Sequence, residues 1–422
     1  MTGNPTCMPS ASLDGVDLHA LSACVPTPFY AYSADAIRRR VEGLQRALAG
    51  LDAQLCFAVK ANPNIGVLHL MAGLGVGADI VSAGELWRAR RAGIPGSSIV
   101  FSGVGKTADE MAAAIDAGVW KFNVESADEL SLLQAVARAC GVVAHAAVRV
   151  NPDVDARTHA KISTGKAENK FGVDIDEARR WFADAAHWPD VRLDGLHAHI
   201  GSQILELAPF EQAMSRLAAF WRELAAAGHR IASIDVGGGL GVAYRAGMDR
   251  PIDPADYVGA IRRQLHGFDG RIVLEPGRYL VAEAGVLVTR VVRVKAGRER
   301  EFLVLDAAMN DLQRPALYDA WHDIHVLHEG GRPRARYDVV GPVCETGDTF
   351  ARDRDLPRCE AGDLVLIAGA GAYGASMSSN YNSRPLLAEV LLDEGRYAVV
   401  RRRQSLAQMA ENEHLPTAWS VA

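Results

Sequence analysis

The chain has 422 residues and a net charge of −6, with 45 Lys and Arg against 51 Asp and Glu. It has no basic block long enough to hold nucleic acid or an anionic membrane surface, so a small-molecule partner is expected. Its six cysteines, Cys7, Cys24, Cys56, Cys140, Cys344 and Cys359, show no C-x-x-C pair. No apolar run nears the ~20 residues that cross a bilayer and no basic, then apolar, leader opens the chain, so a soluble cytoplasmic protein is expected.

Residues 1–25 carry no interpretable signal. Phe29-Tyr30-Ala31-Tyr32 reads as a strand, and residues 26–33 are expected to join a second unit further along the chain. From 34 to 285, β-rich apolar runs alternate with amphipathic helical segments such as Ala83–Ala92, Ala127–Ala139 and Phe210–Ala227. The runs are Leu55–Val59, Ala78–Val81, Ser98–Phe101, Trp120–Val124, Val143–Val150, Leu193–Ile200, Ile231–Val236 and Arg271–Glu275. Eight such units suggest a (β/α)₈ barrel, with a doubly wound open sheet as the alternative. Beyond Gly285, strands without matching helices (Val286–Val294, Phe302–Leu305, Asp338–Val340, Asp363–Ile367, Ala388–Leu392, Tyr397–Arg401) predict an all-β domain over 286–403. The tail, 404–422, is polar.

The polar and glycine residues fall where these strands end. Lys60 follows strand one and Asp79 lies in strand two. Arg149 is near the end of strand five, and His197 and His199 close strand six. Gly237-Gly238-Gly239 follows strand seven, and Glu275-Pro276-Gly277-Arg278 ends strand eight. The carboxyl ends of barrel strands are where such folds build active sites. A lysine there, partly desolvated to expose its neutral amine, suits condensation with an aldehyde, although an isolated lysine more often snorkels to the surface. Glycine amides after strand seven suit a phosphate, with Ser202 and Arg278 as further donors; turn formation and a surface ion pair are the plain alternatives. The run misses the dinucleotide fingerprint, because G-x-G-x-x-G counted from Gly237 ends on Val242. His197 and His199 share a strand face, a spacing also used for metals, but no further histidine ends another barrel strand. One imidazole is then expected in the core and the other flat on an aromatic ligand. Glu275, if not simply a cap, can hold a pyridine nitrogen protonated. Together these groups describe a site for pyridoxal 5'-phosphate, with no metal.

The motifs Phe57-Ala58-Val59-Lys60-Ala61-Asn62, His197-Ala198-His199-Ile200-Gly201-Ser202-Gln203, Gly237-Gly238-Gly239-Leu240-Gly241 and Glu275-Pro276-Gly277-Arg278-Tyr279 resemble those of the barrel-type pyridoxal-phosphate decarboxylases of basic amino acids. The segments 309–318, Gly341-Pro342-Val343-Cys344-Glu345, Gly371-Ala372-Tyr373-Gly374 and 380–385 narrow the likeness to the diaminopimelate decarboxylases, in order from about 26 to 403. The resemblance implies a homodimer with active sites shared between subunits. Lys60 would hold the cofactor aldehyde, His199 would stack on the ring and Glu275 would meet its nitrogen. Ser202, Gly238, Gly239, Gly277, Arg278 and Tyr373 would lie around the phosphate. Arg278, Arg314, Tyr318 and Tyr373 would hold the distal end of the substrate. Cys344 and Glu345 would arrive from the partner, Glu345 for the distal ammonium and Cys344, or Lys60, as proton donor to the α-carbon. Without the likeness, Cys344 reads as a small buried residue. The expected reaction is decarboxylation of meso-2,6-diaminopimelate to L-lysine, with a decarboxylase of ornithine or lysine, or a non-catalytic cofactor carrier, as alternatives. The chain departs from the family pattern at Ala160-Lys161, before Ile162-Ser163-Thr164-Gly165, where Pro-Tyr is common, and at Thr346, where Ser is usual.

Overall fold

The computed structural model describes residues 11–155, 170–327 and 331–416, so Cys7 and the 160–165 stretch lie outside it. Eight parallel strands close into a barrel, in chain order Ala53–Ala58, Gly77–Ile80, Ile99–Phe101, Lys121–Val124, Ala144–Arg149, Val191–His197, Ser233–Asp235 and Arg271–Leu274. Ile272, Val273 and Leu274 stand in register with Ala53, Gln54 and Leu55, which joins the last strand to the first and excludes an open sheet. Each of the eight predicted runs holds a strand, with ends shifted by up to three residues. The first gives up Val59 to a single 3₁₀ turn, Val59–Ala61, and the sixth stops at His197.

Helical crossovers form where apolar residues recur at intervals of three and four. Ala34–Leu48 buries Ile37, Val41, Leu44 and Leu48 on one stripe, and Ser33 Oγ caps it by accepting the Ala36 N–H at 2.9 Å, a contribution of about 1 kcal/mol. It packs beside Pro254–Gln264 and takes the place of an eighth outer helix, although it precedes the first strand. The crossover after strand eight shrinks to Arg278–Val281. Cys56, Val100 and Val273 pack as one buried cluster with Trp120. Two residues further along the same strands, on the same face, come Ala58, Ser102 and Glu275. An apolar floor therefore gives way, at Ser102 and Glu275, to polar side chains at the carboxyl ends. Ser33–Gly285 and Gly371–Ser376 make up this unit, so Tyr373, read from the sequence within the β region, belongs to the barrel.

The second unit comprises the described parts of Pro9–Tyr32, Val286–Ala370 and Met377–Ala422. Its sheet runs in the order Thr349–Pro357, Arg334–Val340, Glu301–Leu305, Gly285–Ala296, Phe29–Ser33, Ala388–Asp393, Arg396–Arg401, with Leu364–Ile367 and Ile324–Leu327 branching from the fourth strand. Phe29–Ser33 is buried at every position and sits inside the sheet. Tyr30 OH donates to Asp311 O at 2.5 Å, and Tyr32 OH donates to Glu389. Besides a short hairpin, Ser12–Leu13 with Val16–Asp17, two strands of this sheet are unforeseen in the sequence. Thr349–Pro357 is too charged to show an apolar alternation; it pairs antiparallel with Arg334–Val340, and exposed Arg334–Asp355 and Arg336–Asp353 ion pairs span the two strands. Ile324–Leu327 is only four residues long. The unit is mostly sheet and also carries three short helices, Leu18–Cys24, capped by Asp17, Arg314–Tyr318 and Leu406–Met409.

Candidate active site

Lys60 sits on the 3₁₀ turn that ends strand one, and 41% of its side chain is accessible. Its Nζ donates to Asp79 Oδ2 at 2.6 Å, and Asp79 is fully buried. Burial pulls the ammonium toward deprotonation, yet Asp79, Tyr373 and Glu275 outweigh it and hold the pKa above that of a free lysine. Burial and the Glu275 charge raise the Asp79 carboxyl, while Lys60 and Ser102 oppose them. This corrects the sequence argument, which takes the amine as neutral through desolvation. The partner carboxylate one strand away keeps it charged.

Glu275 is 5% exposed, just past the end of strand eight. Its Oε1 accepts from Asn123 Nδ2 at 3.2 Å and Ser102 Oγ at 3.4 Å, and its Oε2 accepts from His197 Nε2 at 3.2 Å. Burial works against the charge, but His197 and Lys60 win and hold the carboxyl far below its ordinary range. His197 is thus the core imidazole, bonded to the acid.

His199 lies two residues past the strand end, and its Nδ1 accepts the Gly238 N–H at 3.1 Å. That bond requires a bare Nδ1, which agrees with a pKa lowered to about 3 by burial, with Arg149 and Lys60 adding to it. A neutral, flat ring results. A Cβ on Gly238 would lie 2.2 Å from the Glu275 carbonyl oxygen, so only glycine lets the loops after strands seven and eight meet. Gly239 has φ +101°, in the left-handed region. Arg278, 6% exposed, donates to Tyr244 OH at 2.7 Å and to Ser202 Oγ at 3.0 Å, and lies 4.7 Å from the centroid of the Tyr373 ring. Tyr373 N–H donates to Ala61 O at 2.8 Å, which ties its segment to the Lys60 turn. Arg149 is spent on Glu125 at 2.9 Å.

In the β unit, Arg314 is buried with its Nη1 2.7 Å from His322 Nε2, and Tyr318 closes the same short helix. Cys344 and Glu345 are exposed, against the buried reading of the cysteine. Cys344 N–H donates to Asn382 Oδ1 at 3.0 Å, and Glu345 bonds Tyr381 and raises that phenol's pKa.

Ser102, Asn123, Asp235 and Tyr244 are missing from the sequence reading. Their one signal is a polar side chain at the inward position of an otherwise apolar strand, or, for Tyr244, none. Glu85 is also unforeseen: it accepts the Val81 N–H at 2.8 Å, and burial pushes its pKa up to about 7.

Four buried polar atoms at this end of the barrel have no hydrogen-bond partner among the described residues: Asp79 Oδ1, Asn123 Oδ1, His197 Nδ1 and Asp235 Oδ2. Buried polar groups left so are normally completed by a ligand or water. The donor set suits pyridoxal phosphate: an amine for the aldehyde, an ionised acid for a pyridinium, a neutral ring for stacking, and a guanidinium with hydroxyls and glycine backbone for the phosphate.

Residues 34–282 match the family described as "Pyridoxal-dependent decarboxylase, pyridoxal binding domain". The chain belongs to this family. Over 402 residues it is 50% identical to diaminopimelate decarboxylase of Pseudomonas aeruginosa, covering 95% of this chain and 96% of that protein. The same enzyme of Zymomonas mobilis is 46% identical, at 95% and 96% coverage. Among solved structures, diaminopimelate decarboxylase from Helicobacter pylori complexed with L-lysine is 42% identical with a TM-score of 0.91, covering 94% of this chain and 99% of that one.

Proposed function

We propose that the chain is a pyridoxal-phosphate-dependent decarboxylase that converts meso-2,6-diaminopimelate to L-lysine and carbon dioxide in the cytoplasm. One observation carries the reading: a buried Glu275, met by Asn123, Ser102 and His197, and the accessible end of Lys60 share the carboxyl rim of one closed barrel. When bound, the cofactor supplies a ring that takes up the electron pair left behind by carbon dioxide.

The residues divide the remaining work. Lys60 would hold the cofactor aldehyde, and Asp79, 2.6 Å from Nζ, would hold a proton at that nitrogen. Glu275 keeps a proton on the ring nitrogen, with His197, Asn123 and Ser102 fixing its two oxygens. His199, neutral and held by Gly238, presents a flat face to the ring. Ser202, Gly238, Gly239, Gly277, Arg278 and Tyr373 hold the phosphate. Arg278, Arg314, Tyr318 and Tyr373 take the distal carboxylate, a group that lysine and ornithine lack. In a homodimer, Glu345 and Cys344 of one subunit serve the site of the other, Glu345 for the distal ammonium and Cys344, or Lys60, for the proton delivered to the α-carbon. Their exposure in the single chain supports that assignment.

Carbon-dioxide release by the purified protein tests the proposal. Diaminopimelate should exceed lysine and ornithine in kcat/KM by roughly 100-fold or more, because an unmet arginine penalises the shorter acids. Equal turnover on those amino acids would move the substrate assignment, and no release would leave only a cofactor carrier.

A further inference from the structure

Asp235 is a buried carboxyl to which the chemistry above gives no task. It closes strand seven and is 3% exposed. Ser233, two residues earlier on the same face, meets Lys121 Nζ at 2.7 Å inside the barrel, so Asp235 also points inward. Its Oδ1 accepts the Gly237 N–H at 2.8 Å, and Gly237 O accepts the Glu275 N–H at 2.9 Å. Its Oδ2 is buried without a donor among the described residues. Polar atoms of Asp235, Glu275 and His197 nevertheless lie within 4.8 Å of one another.

The local donors are committed elsewhere. Asn123, Ser102 and His197 Nε2 all serve Glu275, and His197 Nδ1, without a partner among the described residues, makes no bond to Asp235. The other titratable groups that act on Asp235, or feel its charge, are Asp79, Tyr257, Cys56 and Lys121. Only Lys121 carries positive charge, and its Nζ is spent on Ser233 and on Asp194 at 2.8 Å. Two ionised carboxylates this close, away from water, repel strongly, whereas one proton between them gives a short charge-assisted bond. Burial and the Glu275 charge both push the Asp235 carboxyl well above its ordinary value, while Glu275 is held low.

We propose that Asp235 is protonated at neutral pH and donates its O–H to the Glu275 carboxylate, acting as a positioning residue that keeps Glu275 ionised toward the cofactor nitrogen. The final clause rests on the role given to Glu275 above; the protonation itself does not. Asp235 would thereby also link the glycine loop to the acid, since its Oδ1 already holds Gly237.

Infrared difference spectra of the full-length protein as purified, wild type against Asp235→Asn, read the proton directly. The wild type should show a protonated-carboxyl C=O stretch at neutral pH that the variant lacks. Asn offers the same acceptor to Gly237 and an N–H to Glu275, so its turnover should stay close to wild type. Asp235→Ala removes the donor and should lower kcat about tenfold or more with KM little changed. The proposal is overturned by the absence of that band, or by Asp235→Asn costing as much as Asp235→Ala. It is equally overturned, in its positioning role, by a band accompanied by full turnover of Asp235→Ala. Because the band is independent of catalysis, it stands or falls separately from the role of Glu275.

Discussion

Replacing Glu275 with Gln keeps the volume of the side chain and removes its charge at the centre of the site. In the wild type Asn123 at 3.2 Å, Ser102 at 3.4 Å and His197 at 3.2 Å donate to the carboxylate, beside the proton proposed above for Asp235. The new amide must turn its N–H₂ toward one of them. Facing His197, it drives the ring proton to Nδ1, an atom with no partner among the described residues. Facing Asn123, it meets another amide that can rotate its own unpartnered Oδ1 into place. The second arrangement costs about 1 to 3 kcal/mol of stability, so the variant folds. Loss of the anion beside the ring nitrogen should lower kcat by roughly 10²- to 10³-fold, in line with removal of one fixed electrostatic group. Carbon-dioxide release measures kcat and KM, and absorbance counts bound cofactor in the same samples. Retained cofactor, a nearly unchanged KM and the drop in kcat are expected. A Gln variant that turns over like the wild type would refute the role given to Glu275.

Gly238→Ala places a Cβ 2.2 Å from the Glu275 carbonyl oxygen, a backbone atom that cannot yield cheaply. It should cost about 1 to 3 kcal/mol, seen as a lower Tm, and cofactor should be lost on gel filtration. His199 titrates near 3 in the folded chain, against about 6.5 when unfolded, so the unfolded state binds the extra proton between those values. Stability from this group is therefore present at neutral pH and falls by about 1.4 kcal/mol per unit as the pH drops through that window. His199→Gln lacks the term, and its Tm should fall less steeply on acidification than that of the wild type. Arg314→Met should raise KM for diaminopimelate and shrink its advantage over lysine; an unchanged ratio of kcat/KM would remove Arg314 from substrate selection.

The barrel was legible because each of its strands is a short apolar run set between amphipathic helices, and closure alone had to come from the register of Ile272 with Ala53. Lys60, His199 and Glu275 could be placed because they end such runs, where a polar residue stands out. Ser102, Asn123 and Asp235 are polar residues in or just past barrel strands, but only the closed barrel shows that they gather around Glu275. The charge of Lys60 was misjudged for a related reason: Asp79 is adjacent only once Phe57 and Ala58 pair with Ala78 and Asp79. Tyr373 shows another limit, because its left-handed backbone at φ +55° and its bond to Ala61 belong to a return of the chain that no periodicity announces. Thr349–Pro357 was hidden by its alternating Arg and Asp, which pair across strands instead of burying an apolar face.

Borohydride reduction of the purified protein, followed by digestion and mass spectrometry, tests the central claim most directly. The account predicts that the reduced cofactor is found on the peptide containing Lys60 and that Lys60→Ala abolishes the label. A label on any other lysine, or none on protein that still releases carbon dioxide, would contradict it.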